Sequence, residues 1–233
     1  MSQVTEEIVR FVRQKLESQA DPEKATGMAA YMKTSMPFYG VQKPQRIPIL
    51  KHLKANFPPA DRAEYESAIK ALWQLPHREE KYLALDYATS FVEFADPGSL
   101  PFFETLVRQG AWWDFVDVIA GHLIGNLFLA YRDRVGVDMD RFVSDENLWI
   151  RRTAILSQLK HKAATDEKRL FGYCSQCASE KEFFIAKAIG WALREYSYTS
   201  PETVGKFLLD HKQRISPLSF REGAKHLLKA GLI

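Results

Sequence analysis

Indole, carboxylate and cationic side chains recur at helical spacing in three segments of this sequence. In the first, GAWWDFVDVIAGHLIG, Trp113 and Asp117 are four residues apart and would share one face of a helix. The neighbouring Trp112 is interpreted as an anchor in the core between helices. Asp117 keeps two interpretations at this point: a surface or capping carboxylate, or a group that takes part in chemistry.

The second and third segments add positive charge. In LWIRRTAILSQLKH, Arg152 and Lys160 are eight residues apart, about two helical turns, so a helix would place them on one side. In EFFIAKAIGWALREYS, the spacing i, i+4, i+7 puts Lys187, Trp191 and Arg194 on one stripe. An indole between two cations on a half-polar face favours a contact with phosphate and with a base or sugar over a place in the core.

One carboxylate among cations and exposed indoles suits a particular reaction. Cations hold a phosphate backbone, and indole faces attract a positively charged ligand by ~0.5–2 kcal/mol each. A carboxylate stabilises a cationic centre that develops in the transition state. Cleavage of the N-glycosidic bond of an alkylated purine needs all three, because the base is already cationic and the sugar becomes oxocarbenium-like. If the three segments line one groove, they predict this chemistry.

The elements that must position these residues are helices. Apolar residues follow a 3.6-residue period in segment after segment, and no convincing run alternates with period two. Trp113, Arg152 and Trp191 are spaced 39 and 39 residues apart, close to the repeat length of HEAT and armadillo proteins. We therefore predict an all-α fold, an α-solenoid of HEAT-like helical repeats with a concave DNA-binding face, as a single domain over residues 1–233. An irregular helical bundle is the alternative.

Composition is that of an ordinary globular protein. The chain has 233 residues, 46% hydrophobic and 26% charged, which excludes a disordered chain, a collagen-like fibre and a disulfide-stapled miniprotein. No uninterrupted apolar run approaches the ~20 residues that span a membrane, and the N-terminus lacks the layout of a secretory signal. Two cysteines are too few for a disulfide framework. We expect a reduced, monomeric protein of the bacterial cytoplasm or nucleoid, with no membrane partner.

Charge is unevenly distributed along the chain. Residues 151–233 contain 15 Lys and Arg against 8 Asp and Glu, whereas residues 1–150 have a net charge of −4. A basic half beside a mildly acidic half is typical of a protein with a polyanionic partner. A solvated surface of Lys and Arg is an equally good interpretation of a bias this small.

Other motifs carry little. Cys174 and Cys177 have CxxC spacing but no second pair of ligands nearby, which disfavours a metal or redox role. The histidines form no ligand cluster, and neither a Gly-rich phosphate loop nor HExxH is present. We expect no metal and no other cofactor. The segment PFYGVQKP predicts a turn whose backbone meets the next helix, and Lys43 and Arg46 could also contact phosphate.

The sequence resembles the AlkD-type DNA glycosylases of the DNA alkylation repair family, which are built of HEAT-like repeats. The resemblance runs from about residue 28 to about residue 204 and rests on four pieces: YMKTSMPFYGVQKPQR, WWDFVD, WIRRTAILSQL and EFFIAKAIGWALREYSYTSPE. Each piece alone is modest, and the combination is specific.

The resemblance implies roles for individual residues. Asp117 is similar to the catalytic carboxylate, and Trp113 and Trp191 to the aromatic walls that contact the deoxyribose of the lesion. Arg152 resembles the phosphate-binding arginine and Tyr31 the N-terminal aromatic residue that completes the cleft. Further positions that match or suit contacts with the DNA backbone are Lys160, Lys187 and Arg194.

The implied activity is excision of N3- and N7-alkylated purines from duplex DNA without a cofactor. The family also implies that the lesion is approached through its backbone and is not extruded into a base pocket, unlike most glycosylases. Two rivals from other classes remain: a non-catalytic module that binds damaged or branched DNA, and a helical-repeat scaffold that binds a peptide.

Overall fold

The computed structural model describes residues 2–233. No β-strand occurs in that range, which confirms the predicted all-α class, and the chain has an all-α helical-repeat fold. The helices form two compact units, one ending at Ser99 and the other spanning Leu100–Ile233. The single domain over residues 1–233, the HEAT-like character of the repeats and their concave DNA-binding face stay predictions.

The first unit consists of five α-helices followed by two 3₁₀ turns. The α-helices are α1 (Gln3–Glu17), α2 (Pro22–Met32), α3 (Lys43–Asn56), α4 (Arg62–Trp73) and α5 (Arg78–Ser90). Local sequence sets their ends: the Asp21 side chain accepts a hydrogen bond from the Lys24 amide, and Pro22 follows at the first helical position. In the core, the Tyr65 hydroxyl of α4 donates to the Ala88 carbonyl of α5 at 3.0 Å.

The PFYG turn is held by a buried carboxylate. Glu79, with no exposed surface, accepts hydrogen bonds from the backbone amides of Tyr39, Gly40 and Val41 at 2.8–3.0 Å. Gly40 has φ +88°, and a Cβ there would lie 2.1 Å from the Asp21 carbonyl oxygen, so only glycine fits. The turn therefore binds the start of α5. Its backbone also meets the next helix in the chain, α3, as predicted, because the Val41 carbonyl accepts a hydrogen bond from Arg46 Nη1 at 3.1 Å.

The second unit contains nine α-helices. They are α6 (Leu100–Gly110), α7 (Trp113–Val118), α8 (Gly125–Ala130), α9 (Arg132–Phe142), α10 (Leu148–Leu156), α11 (Glu167–Gln176), α12 (Phe183–Ser197), α13 (Pro201–Asp210) and α14 (Pro217–Lys229). Helix α10 packs against α6, α7, α9, α11 and α12, so it is the central element of this unit. Helix α12 packs most extensively against α14.

Helices α7 and α8 are joined without a break by a π-helical segment, Ile119–Ile124. Such a segment adds one residue to a turn and so rotates the side chains before it relative to those after it. The stretch Trp113–Ala130 is long and apolar enough by composition to cross a membrane, but 56% of it is buried inside the protein. Its buried residues include Phe115, Val116, Ile119 and Leu123, and we interpret it as a core helix.

A buried histidine lies behind this core helix. His161, 4% exposed, places Nε2 2.9 Å from the Gly125 carbonyl oxygen, and its Nδ1 has no hydrogen-bond partner among the described residues. Burial lowers the pKa of His161 below its ordinary value of 6.5, opposed by the Gly125 carbonyl and assisted by Arg132. The neutral ring is therefore the form that the fold accommodates.

We expect His161 to lower the free energy of unfolding of the protein in mild acid. Above pH 6.5 the ring is neutral in both states; below it, the unfolded chain binds the proton first and stability falls, by up to about 1.4 kcal/mol per pH unit. Urea unfolding at pH 7.5 and 5.5 measures the loss. The variant His161→Gln should lose less stability between the two pH values than wild type, and an equal loss in both proteins would contradict the prediction.

Candidate functional site

The centre of the candidate site is an ion pair between α7 and α10. Arg152 Nε donates to Asp117 Oδ1 at 2.8 Å and Nη2 donates to Oδ2 at 2.9 Å, so the pair is bidentate. The side chains are 5% and 15% exposed, respectively. The structure thus brings together two predicted site residues that are remote in the chain, and it places the guanidinium beneath the surface.

Arg152 also ties this pair to α12. Its Nη1 donates to the Phe184 carbonyl oxygen, and its guanidinium carbon lies 6.0 Å from the centroid of the Phe184 ring. Carbonyl groups at the start of a helix accept hydrogen bonds from amides one turn later. The Phe184 carbonyl can accept this additional bond from Arg152 while the helix stays intact, so the contact fixes the start of α12. One side chain therefore connects α7, α10 and α12.

Aromatic rings form a layer beside the ion pair. The ring centroids of Trp112 and Trp149 are 5.8 Å apart, and both indoles contact Phe184, at 5.4 and 4.8 Å. Trp112 therefore packs between helices, as its predicted role as an anchor requires. Phe184 brings this layer against the Arg152 guanidinium, and an ion pair is stronger beside apolar groups than in water.

Burial and the Arg152 guanidinium have opposite effects on the pKa of the Asp117 carboxyl group. Burial raises its pKa above the ordinary value of 3.8, the hydrogen bonds and charge of Arg152 oppose that rise, and nearby Asp114 adds to it. An ionised carboxylate has about four acceptor positions, and Arg152 occupies one on each oxygen. Asp117 can therefore accept a hydrogen bond from a water molecule while it keeps its arginine.

The two predicted indole walls lie on the helices that flank α10. Trp113 is the first residue of α7, one turn before Asp117, which puts the two Cβ atoms about 6 Å apart. Trp191 follows Phe184 by two turns on the same side of α12. Both indoles are partly exposed, so they have surface available for a ligand.

A carboxylate that the sequence analysis did not single out organises the cations of α12. Glu222 of α14 lies 3.3 Å from Lys187 Nζ, 2.8 Å from Arg194 Nη1 and 2.8 Å from Lys225 Nζ. Nothing in the local sequence of α14 signals this role, because the partners on α12 are about 30 residues away. The predicted stripe of Lys187, Trp191 and Arg194 is thus present, and its two cations share one acid.

Lys160 is placed differently from the expectation. Helix α10 ends at Leu156, so the prediction that Lys160 lies on the same helix as Arg152 is wrong. The chain turns there, and the Gln158 side chain holds the turn by pairing with both backbone groups of Asp166, at 3.1 and 2.7 Å. Lys160 is exposed on the resulting turn, and its contact with DNA stays a prediction.

Three predicted residues belong to the first unit. Tyr31 is 76% exposed and lines an open pocket with Met28, Met32, Phe38 and Tyr82. Lys43 is exposed at the start of α3. Arg46, in contrast, is 8% exposed; its Nη1 donates to the Val41 carbonyl at 3.1 Å and its guanidinium carbon lies 4.6 Å from the centroid of the Tyr82 ring. Arg46 therefore braces the PFYG turn from inside the unit.

The cysteines and potential metal ligands show no assembled site. Cys174 and Cys177 are both free and buried, and burial raises the pKa of each thiol. Within residues 2–233 no cluster of three or more His, Cys, Asp or Glu is arranged to hold a metal ion.

Comparison with known proteins defines the class. A solved structure described as "Predicted DNA alkylation repair enzyme from Enterococcus faecalis" has a TM-score of 0.83 and 34% sequence identity, covering 90% of this chain and 97% of that one. The profile of the family described as DNA alkylation repair enzyme matches residues 12–227. A search of curated proteins gave no match. The chain belongs to the DNA alkylation repair enzyme family, and membership implies that it binds DNA.

Proposed function

We propose that the protein is a DNA glycosylase that hydrolyses the N-glycosidic bond of cationic N3- or N7-alkylated purines in duplex DNA. The observation that supports this most directly is the Asp117 carboxylate, held by the bidentate Arg152 pair on a helix that starts with a partly exposed indole. A carboxylate fixed in this way can face a developing positive charge without first reorganising.

The proposed reaction needs no cofactor. The bond between C1′ and the base nitrogen breaks, and its electron pair leaves with the base, whose positive charge it neutralises. The sugar becomes an oxocarbenium ion, which the Asp117 carboxylate stabilises. A water molecule adds to C1′, and its proton passes to Asp117 or to solvent, which completes the hydrolysis.

The other residues of the site bind and position the substrate in this proposal. Trp113 and Trp191 present indole faces to the cationic lesion and its sugar. Because the guanidinium of Arg152 is already engaged by Asp117 and Phe184, we assign Arg152 to positioning the carboxylate in addition to its predicted phosphate contact. The residues that would hold the DNA backbone of a monomeric complex are Tyr31, Lys43, Lys160, Lys187 and Arg194.

Base release from defined duplexes tests the proposal. We expect wild-type protein to release free 7-methylguanine or 3-methyladenine from methylated DNA. It should not release uracil from a duplex that contains deoxyuridine, because that leaving group carries no positive charge. Release of all three bases at similar rates would contradict the assigned substrate class.

The same assay separates the rival functions. A non-catalytic module would bind DNA in a salt-dependent manner and release no base. A peptide-binding scaffold would show no DNA affinity at moderate salt, an outcome that family membership already argues against.

A further inference from the structure

A single buried acid joins three cations on one side of the second unit. The carboxylate of Glu222 is 9% exposed, whereas the side chains of its partners are 27–52% exposed. We call these four residues the Glu222 cluster: Lys187, Arg194, Glu222 and Lys225. It combines three positive charges with one negative charge, and its cationic ends reach the surface.

Close packing of two helices creates this cluster. A Cβ on Gly190 of α12 would lie 2.5 Å from the Cβ of Glu222 on α14 and 3.0 Å from the Ser219 carbonyl oxygen, so the helices approach this closely only because residue 190 is glycine. Gly190 lies one turn after Lys187 and one turn before Arg194. Glu222 is therefore seated midway between the two cations and can reach both.

The cluster adjoins further features that suit an anionic ligand. Trp191 follows Gly190 directly and lies between the two cations of α12 along the stripe. Arg194 and Lys225 also line an open pocket. The other residues that line it include Tyr198, His226 and Lys229. Tyr198 is 63% exposed. The negative charge of Glu222 lowers the electrostatic attraction of this surface for DNA. Its place among the three cations therefore needs an explanation other than charge.

We explain it by the conformational order that Glu222 imposes on the lysine and arginine side chains. A lysine or arginine that is free in solution loses rotamer freedom when it binds a phosphate, and this lowers the affinity. The cations of the Glu222 cluster are already held by ion pairs of 2.8–3.3 Å. Glu222 stays ionised because its partners lower its pKa to about 2, Lys225 contributing most.

We propose that Glu222 is a positioning residue, which holds the cations of the Glu222 cluster as a preformed clamp for phosphates of the DNA backbone beside Trp191. The inference rests on the proposed function, because it assumes that the Trp191 side of α12 faces DNA. The clamp contacts the backbone alone and would serve undamaged and damaged duplexes equally.

The variant Glu222→Gln tests positioning against simple charge. Glutamine keeps the packing on Gly190 and removes the negative charge. We expect binding to an unmethylated duplex to weaken roughly tenfold, with a flatter dependence on salt because fewer phosphates are neutralised, each worth a slope of about 0.9. Fluorescence anisotropy at several salt concentrations measures both. Binding as tight as wild type, or tighter with a steeper slope, would overturn the proposal.

Two further variants separate position from charge and from folding. Glu222→Asp keeps the charge but withdraws the carboxylate by one methylene group, so we expect it to weaken binding as well; unchanged affinity would count against positioning. In a background that carries Lys187→Gln, Arg194→Gln and Lys225→Gln, the effect of Glu222→Gln should vanish. A loss that persists there would assign Glu222 to helix packing alone.

A matched control comes from another acid of the same unit. Glu104 accepts hydrogen bonds from Arg108 at 2.7 Å and Arg141 at 2.9 Å and is 18% exposed. Glu104→Gln makes the same change in net charge and should leave DNA binding unchanged or slightly tighter. Weakening equal to that of Glu222→Gln would mean that the effect is not specific to the cluster.

The outcomes also distinguish this inference from the proposed function. If wild type releases alkylated bases and Glu222→Gln binds DNA normally, the glycosylase proposal stands and the clamp is wrong. If wild type binds DNA and releases no base while Glu222→Gln binds weakly, the clamp stands and the glycosylase proposal fails. If wild type does not bind DNA, both fail.

Discussion

Replacement of Asp117 by asparagine should reduce the release of 7-methylguanine by about 10²–10³-fold. This is the usual effect of removing one electrostatic stabiliser of a transition state. The amide has nearly the shape of the carboxylate and can still accept a hydrogen bond from Arg152, but it offers no negative charge to the oxocarbenium sugar. Single-turnover release from methylated duplex DNA measures the effect without interference from product dissociation.

Asp114 provides the matched control for this variant. It lies in the first turn of α7, three residues before Asp117, and Asp114→Asn removes the same charge from the same helix. We expect its rate of base release to stay close to that of wild type. Circular dichroism must show that both variants are folded at the assay temperature. Equal release from wild type and Asp117→Asn would remove the carboxylate from the mechanism.

Replacement of Arg152 by methionine should be the most destabilising single change in the site. It leaves Asp117 in a largely buried position without its partner, and removal of one member of a buried pair costs about 3–5 kcal/mol. For a protein of this length, that lowers the melting temperature by roughly 6–20 °C. Thermal unfolding followed by circular dichroism measures the shift.

Arg151 is the control for the loss of an arginine in the same helix. Its Nη2 lies 2.7 Å from Glu180 Oε2 and its side chain is 17% exposed, so Arg151→Met should destabilise the protein less than Arg152→Met. The double variant Asp117→Asn with Arg152→Met should be more stable than the two separate losses predict, because it leaves no unpaired charge. Strictly additive losses would show that the two residues do not stabilise each other.

The substitution Arg152→Met should also shift the pH dependence of base release towards higher pH. In wild type, burial raises the pKa of Asp117 above 3.8, and Arg152 opposes the rise. If Asp117 acts as proposed, base release should be lost as pH falls through that pKa, since the protonated acid has no charge. Without Arg152 the pKa rises further, so the acidic limb of the profile should lie at higher pH.

Periodicity predicted the helices because each one buries an apolar stripe. The stripe Ile8, Val12 and Leu16 of α1 is fully buried, and Asp21 with Pro22 begins α2 as their residue types indicate. The end of α10 was not predictable in this way. The pattern of apolar residues continues to Leu159, whereas the helix ends at Leu156. Gln158 holds the turn that follows by binding the backbone of Asp166, a contact that periodicity cannot reveal.

The candidate site was predictable only in part for a similar reason. Residue types and spacing pointed to Asp117, Arg152 and Trp191 as neighbours, and the structure confirms the contact between the first two. Burial of the Arg152 guanidinium and the role of Glu222 depend on how closely helices approach. Small residues such as Gly190 set that distance. The sequence does not show which helix packs against them, so their role cannot be recognised from it.

In the proposed mechanism, the ion pair between Asp117 and Arg152 stabilises the fold and positions the catalytic carboxylate with the same atoms. Natural selection therefore cannot adjust the two separately: drift at either position is penalised through folding, even in a lineage that has stopped repairing DNA. Descendants that lost the enzymatic trait should retain both residues for generations afterwards. Retention of the pair in related sequences would therefore reflect the demands of folding as well as those of catalysis.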